Sequence, residues 1–405
     1  VGGLWDIDAP RSTVYESAHL ISSRTTTEFV EHPMPPGTPD YPSHTHLLAY
    51  FRSYADRFGL RDGYRFGTEV TSVQPVGDPA APERWVVRAT GPDGIPVESE
   101  HAGVVVADGT LSEPNVPELP GHFDGEIFHT AAYKHPQVFA GKRVLVVGAG
   151  NSGCDIVVDA VHHAASVDLS VRRGYHFVPS TSSGAPPTPS TRAVRCRRGS
   201  SRLSTPGCCG CSPATRPRFG FPEPDHKLYE SHPIVNSLIL HHLGHGDASV
   251  RPDVERLDGD GVVFRDGTRQ GYDVVVLATG YRLHYPSSTA PCWPGPRGRG
   301  APGLYLQIAS PAAEGLYVVG MVEASGIGWQ GRWEQAELVA AYLAARESGA
   351  PAAAQLRARV ADRAAWPDLS GGYHYLGLER MAYYVNKDAY RRAVRAQAAE
   401  LEVGR

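Results

Sequence analysis

The stretch from Lys142 to Gly174 sets what this chain can fold into. An apolar run, Val144-Leu145-Val146-Val147, feeds the turn Gly148-Ala149-Gly150-Asn151-Ser152-Gly153, which has the pattern Gly-x-Gly-x-x-Gly. The turn opens a segment with helical spacing, Cys154 to Val161, and a second β-rich run, Val167 to Val171, ends at Arg172 and Arg173. Strands joined through a helix in this way make a β-α-β unit, so a parallel sheet and an α/β fold are expected. In such a turn the first Gly permits the tight bend. The second lets backbone approach a pyrophosphate, and the third lets the helix pack on the strand. The helix N-terminus then offers free N–H groups and the positive end of its dipole to an anion. Lys142 to Gly174 thus reads as a dinucleotide-binding unit.

Arg172 and Arg173 bear on which dinucleotide. They stand about 20 residues beyond the glycines, where an NAD site carries an acid for the ribose 2′-hydroxyl. Two guanidinium groups there suit a 2′-phosphate instead. NADP(H) is the expectation.

Composition acts mainly by exclusion. A length of 405 residues predicts two or three domains. The formal net charge of −4 gives no ground for a nucleic-acid partner. No apolar run approaches the length that crosses a bilayer, and no signal peptide opens the sequence. Six cysteines in so long a chain do not resemble a secreted disulfide framework. A soluble, cytoplasmic protein is expected.

Elsewhere the periodicity predicts further elements. Leu47, Leu48, Tyr50, Phe51, Tyr54, Ala55 and Phe58 fit one face of a helix that ends at Gly59. Strands are expected over Phe66 to Val73, Arg84 to Ala89, Leu304 to Ile308 and Gly315 to Gly320, and buried strands ending on glycine turns over Val104 to Gly109 and Asp273 to Tyr281. Gly261 to Phe264 with the Asp266-Gly267 turn reads as a hairpin. Ser237 to Leu243, a long segment opening at Gly326 to Trp333, and the tail from Ala352 read as helical, the tail being broken at Pro367 and Gly371-Gly372.

Just upstream of the glycine turn, Phe123-Asp124-Gly125-Glu126-Ile127-Phe128-His129-Thr130-Ala131-Ala132-Tyr133 has the form Phe-x-Gly-x-x-x-His-x-x-x-Tyr. This fingerprint resembles that of the flavin-containing monooxygenases. The resemblance extends through Gly2-Gly3-Leu4-Trp5, Tyr41-Pro42-Ser43-His44, Ala278-Thr279-Gly280-Tyr281 and Gly328-Trp329-Gln330-Gly331-Arg332-Trp333, and so covers nearly the whole chain. Tyr133 ends the fingerprint where the related Baeyer–Villiger enzymes usually carry Trp.

The resemblance implies two doubly wound dinucleotide-binding domains. An NADP domain, residues 140–279, would be inserted in an FAD domain made of residues 1–139 and 280–405. In that family Gly-Gly-Leu-Trp follows the first β-α-β unit, whereas here it opens the chain, and no second Gly-x-Gly-x-x-Gly occurs upstream of residue 123. The first FAD-binding unit, roughly 30 residues, is therefore expected to be missing, and the chain reads as N-terminally truncated.

The implied activity is NADPH-dependent oxygenation of nitrogen or sulfur in a small organic substrate. Hydride passes from NADPH to flavin N5, and the reduced flavin activates O₂ as a C4a-(hydro)peroxide. The implied cofactors are FAD and NADPH, the partners are the substrate and O₂, and a homodimer is the assembly considered. For NADP the candidate residues are Gly148, Gly150, Asn151, Ser152, Gly153, Arg172, Arg173, Thr279 and Gly280. For FAD they are Gly3, Leu4, Trp5, Val70, Ala107, Gly109, Gln330 and Arg332. Asp40 and His129 are the catalytic candidates, although a structural role for His129 stays open. At Ala107-Asp108-Gly109 the family more often shows Thr or Asn in the middle. Two alternatives remain: an impaired NADP-binding remnant of such an enzyme, or a Baeyer–Villiger-type ketone monooxygenase. A disulfide reductase would need a redox pair, and Cys154 is alone on its helix.

Two windows depart from the resemblance. Residues 180–218 hold seven arginines but no Asp, Glu, Lys or aromatic residue, a composition that does not sustain a core. Cys208-x-x-Cys211 lacks a second ligand pair for zinc. A compensated reading-frame error is expected there, and Ser287 to Gly300 is a shorter case. His241, His242 and His245 read as solvated or capping side chains, and no metal is expected.

Overall fold

Val144, Leu145, Val146 and Val147 are all buried, because their strand is central and covered on both faces. The computed structural model describes residues 1–178, 219–285 and 301–403. The 180–218 and 287–300 windows, with Cys208, Cys211 and the expected frame error, lie outside the described residues. Packing divides the chain into two compact units, one of residues 1–25, 34–52 and 114–280, the other of residues 26–33, 53–113 and 281–405.

The first unit holds a five-stranded sheet in the order Ser249–Arg251, Ser166–Ser170, Arg143–Val147, Val274–Leu277, Glu126–His129. Every neighbouring pair in it is parallel. The helix Asn151–Val161 crosses over between the Arg143–Val147 and Ser166–Ser170 strands and buries Cys154, Ile156, Val157 and Ala160. A second sheet orders Arg269–Gly271, Gly261–Phe264, Val254–Gly259 and Gly121–Phe123. The expected hairpin is its first pair, with Gly267 at φ 84° in the turn. The grouping differs from the expected domain boundary in taking residues 1–25, 34–52 and 114–139 with 140–280. Its physical basis is contact with the crossover helix: Tyr15 Oη donates to Asp155 and Ser17 Oγ to Asp159 at 2.7 and 2.6 Å. Trp5 and Ile7 pack on the same core.

In the second unit Glu69–Val76, Arg84–Thr90 and Pro96–His101 form an antiparallel sheet. The third of these was not expected, since its residues are mostly exposed. Ion pairs Arg84–Glu100 and Arg88–Glu98, at 2.9 and 2.8 Å, join it to its neighbour. Val104–Val106 pairs in parallel with Leu316–Val318. A Cβ on Gly103 would lie 2.9 Å from the Gly315 carbonyl oxygen, so the entry to this pair requires glycine. The helices Gln330–Glu347, Pro351–Ala361 and Lys387–Val403 bury Leu338, Val339, Leu356, Val360, Tyr390 and Val394 around one core.

Leu304 to Ile308 is not the expected strand. Leu306 and Gln307 take left-handed backbone, φ 51° and 58°, and Tyr390 Oη donates to the Leu306 carbonyl at 2.8 Å. The run is apolar because it is enclosed by the helices. It does not line one face of a sheet. On the long helix Ala336 and Leu343 are exposed although apolar.

Candidate dinucleotide-binding site

The three glycines of the turn meet three different constraints. Gly148 has φ 106°, and a Cβ there would sit 2.5 Å from the Ala278 carbonyl oxygen. A Cβ on Gly153 would sit 2.0 Å from the Gly148 oxygen and 3.1 Å from Ala278 Cβ. These two serve the bend and the close packing of helix on strand. Gly150 has ordinary extended backbone, and a Cβ on it would meet no atom within 4 Å. It caps the Asn151–Val161 helix without a side-chain bond. The space over Gly150 is thus an open cradle at a helix N-terminus, which suits a phosphate.

Val147 pairs with Ser170 in parallel register, so Arg172 and Arg173 leave the sheet at the same edge as the glycine turn. Arg172 is exposed and Arg173 half-buried.

Other candidates are partly occupied. The Asn151 side chain accepts from Val235 N at 2.8 Å and donates to the Pro233 carbonyl at 3.3 Å, fixing that segment beside the first turn of the helix. The Ser152 hydroxyl bonds to Tyr15, whose phenol is pushed well up by burial and by the Asp155 charge.

Thr279 and Gly280, beyond the Val274–Leu277 strand, are held by Asn115: Thr279 Oγ1 donates to its carbonyl, and its amide N donates to the Gly280 oxygen at 2.9 Å. His129, buried, uses both ring nitrogens on backbone. Nδ1 accepts from Ala131 N at 3.1 Å, so Nε2 is the donor to the Gly280 carbonyl at 2.9 Å. Burial lowers the imidazole's proton affinity. The fingerprint histidine therefore closes its own turn onto the Thr279-Gly280 loop.

Sequence reasoning missed a polar cluster on the same helix. Asp155 accepts from Tyr15 Oη and from Asn236 Nδ2, at 2.7 and 2.6 Å. Asp159 accepts from Ser17 Oγ and Tyr133 Oη at 2.6 and 2.8 Å. The usable signal was two carboxylates four residues apart on a helix that is otherwise apolar.

The flavin candidates divide between the units. Gly3, Leu4 and Trp5 form a 3₁₀ turn in the first unit, where Ser12 Oγ donates to the Leu4 carbonyl at 2.7 Å. Val70, Ala107, Gly109, Gln330 and Arg332 belong to the second. Val70 is exposed, and Gly109 has φ 84° with open space where a Cβ would point. Gln330 accepts from Val30 N at 3.1 Å. Arg332 is committed to the Gly328 and Val322 carbonyls and to Glu323, at 2.7, 2.8 and 2.9 Å. Gln335, fully buried on the same helix, accepts from Gly320 N at 2.8 Å and donates to Tyr390 Oη at 2.7 Å. That helix thereby meets the end of the Leu316–Val318 strand.

Asp40 is exposed in the first unit. Its carbonyl accepts from Arg24 N at 2.8 Å, and its carboxylate lies 3.8 Å from the same guanidinium. Among the described residues no helix is long and apolar enough to cross a membrane.

A sequence profile of the flavin-binding monooxygenase-like family matches residues 1–200 and 215–326, breaking inside the 180–218 window. Flavin-containing monooxygenase 5 of Mus musculus is 32% identical over 309 residues, covering 71% of this chain and 56% of that protein. Flavin-containing monooxygenase 2 of Homo sapiens is 31% identical over 310 residues, with the same coverage. The chain spans 56% of the length of these relatives. A solved steroid monooxygenase bound to NADP superposes with a TM-score of 0.66 at 22% identity, covering all of this chain and 92% of that one. Tmm from Pelagibacter sp. strain HTCC7211 gives 0.64 at 16% identity, covering 99% and 80%. Both share the α/β fold described above. With a profile match over most of its length, the chain belongs to the flavin-binding monooxygenase-like family.

Proposed function

We propose that this chain carries the NADPH site and part of the FAD site of a monooxygenase that oxygenates nitrogen or sulfur in a small organic substrate, with O₂ as co-substrate. The NADP domain is taken as residues 140–279, and the FAD domain as residues 1–139 and 280–405. The observation that carries the reading is the open cradle over Gly150 at the helix N-terminus, at the same end of the sheet as the strand that leads to the two arginines.

Within it, backbone N–H groups after Gly150 hold the pyrophosphate, and Arg172 and Arg173 select the 2′-phosphate. Asn115 and His129 fix the Thr279-Gly280 loop, so His129 positions backbone and moves no proton. For FAD, Gly109 and Gln330 would lie against the cofactor, with Arg332 shaping the turn at Gly328. When bound, NADPH supplies hydride and the flavin supplies the oxygen-activating redox chemistry. Tyr133 in place of Trp favours nitrogen or sulfur over ketone substrates.

Visible spectroscopy of the purified chain tests this. The expected result is yellow protein that NADPH bleaches, with NADPH consumption coupled to oxygenated amine or sulfide. Colourless protein that still binds NADP⁺ would establish the remnant reading. Failure to prefer NADP⁺ over NAD⁺, or an unchanged preference in Arg172→Ala/Arg173→Ala, would overturn the cofactor assignment.

A further inference from the structure

Four imidazoles gather where two helices of the first unit end. His162 follows the last turn of Asn151–Val161, and His241, His242 and His245 lie on Leu238–His245. Ring centroids are 5.4 Å apart for His162 and His242, 5.6 Å for His241 and His242, and 4.0 Å for His241 and His245. The rings differ in what already holds them. His242 is half-buried, and its Nδ1 bonds to Asp247 at 2.9 Å. His241 and His245 are exposed, and no hydrogen bond among the described residues occupies either ring.

On a helix, residues four apart stand on one face. Two neutral imidazoles at that spacing can close on a single ion, the arrangement used by His-x-x-x-His helices. Zn²⁺, Ni²⁺ and Cu²⁺ are the divalent ions for which imidazole is a good ligand. Two features add a negative field. His245 is the last helical residue, at the end where backbone carbonyls are free. The Asp247 carboxylate lies near enough to act on both rings.

We propose that His241 and His245 chelate a divalent transition-metal ion, with water completing its coordination. No group of three or more ligands converges among the described residues, so the site is a two-imidazole chelate that exchanges with solvent. The ion fastens the final turn of the helix whose first turn Asn236 caps through Ile239 N at 3.2 Å. It is independent of the nucleotide reading.

The test is calorimetric titration of Zn²⁺ alone into the whole chain, without an affinity tag and with those cysteines alkylated that react in the folded protein, near neutral pH. One ion should bind with micromolar affinity, more weakly as acid protonates the imidazoles. His241→Ala/His245→Ala should weaken binding by roughly tenfold or more, while His242→Ala retains it. Both substituted side chains are exposed, and thermal unfolding in chelator serves to confirm that the variant folds. Absence of micromolar binding in the parent chain, or equal affinity in the double variant, would overturn the proposal.

Discussion

Asn236 and Asp155, 81 positions apart in sequence, meet through a hydrogen bond of 2.6 Å from Nδ2 to Oδ1. Tyr15 donates to the other carboxylate oxygen, so three distant segments converge on the second turn of the Asn151–Val161 helix. Asp155→Ala leaves a hydroxyl and an amide without their acceptor, and the expected loss is on the order of 1–3 kcal/mol for each buried group. Urea midpoints of Asp155→Ala, Asn236→Ala and the double variant form a cycle. Strict additivity would mean that the contact contributes nothing.

Gly150 and Gly153 respond oppositely to alanine. Gly150→Ala meets open space and ordinary φ, so stability should hold or rise by under about 1 kcal/mol, while NADP⁺ affinity falls by roughly tenfold or more as the cradle fills. Gly153→Ala collides with the Gly148 carbonyl, and its deficit should appear in the melting temperature. An unaltered NADP⁺ affinity in Gly150→Ala would remove the phosphates from that cradle.

Glu334 is buried and bonded to two guanidinium groups, Arg391 Nε at 3.0 Å and Arg395 Nη2 at 2.8 Å. Removing it leaves the half-buried Arg391 without its partner while the exposed Arg395 turns to solvent, and Glu334→Ala should cost about 1–3 kcal/mol. Glu334→Leu, which fills the volume, should not recover that loss while both arginines remain. Adding Arg391→Leu should recover part of it. Denaturant midpoints of the series decide between lost charge pairing and lost packing.

Acid should release one further contact. Arg143 donates to both oxygens of Asp273, at 3.1 and 2.7 Å, and the Arg143 backbone N–H donates at 2.7 Å. These bonds hold the Asp273 carboxyl down at about 2, against an ordinary 3.8. Between those values the unfolded chain binds more protons, so this stabilisation is complete above the ordinary carboxylate value and disappears as pH falls toward 2. The pair is well exposed to solvent, which screens it, so its contribution is small. The stability gap between the parent chain and Asp273→Asn should close over that window, and a constant gap would contradict it.

What could be read in the sequence was whatever declares itself locally. The run Val144 to Val147, the three glycines, the hairpin at Asp266-Gly267 and the family resemblance all rest on neighbouring residues. Pro96–His101 was invisible because its outward residues carry no apolar alternation, and cross-strand charge pairs hold it. Leu304 to Ile308 misled because enclosure on all sides and burial on one sheet face select the same residue types. At the site, the glycine cradle was legible. The Asp155–Asn236 contact was not, since no local pattern marks a partner 81 residues away.

The chain of contacts through Gln335 has a consequence for how the second unit opens. Gly320 N, Gln335, Tyr390 Oη and the Leu306 carbonyl are joined in series. The amide proton beyond the Leu316–Val318 strand therefore has its shielding set by a tyrosine seventy positions later. Detaching the C-terminal helix would expose the left-handed turn and the strand end in one step. In native-state hydrogen exchange these amides should trade with solvent at a common rate, as one cooperative unit and not as separate frayed ends.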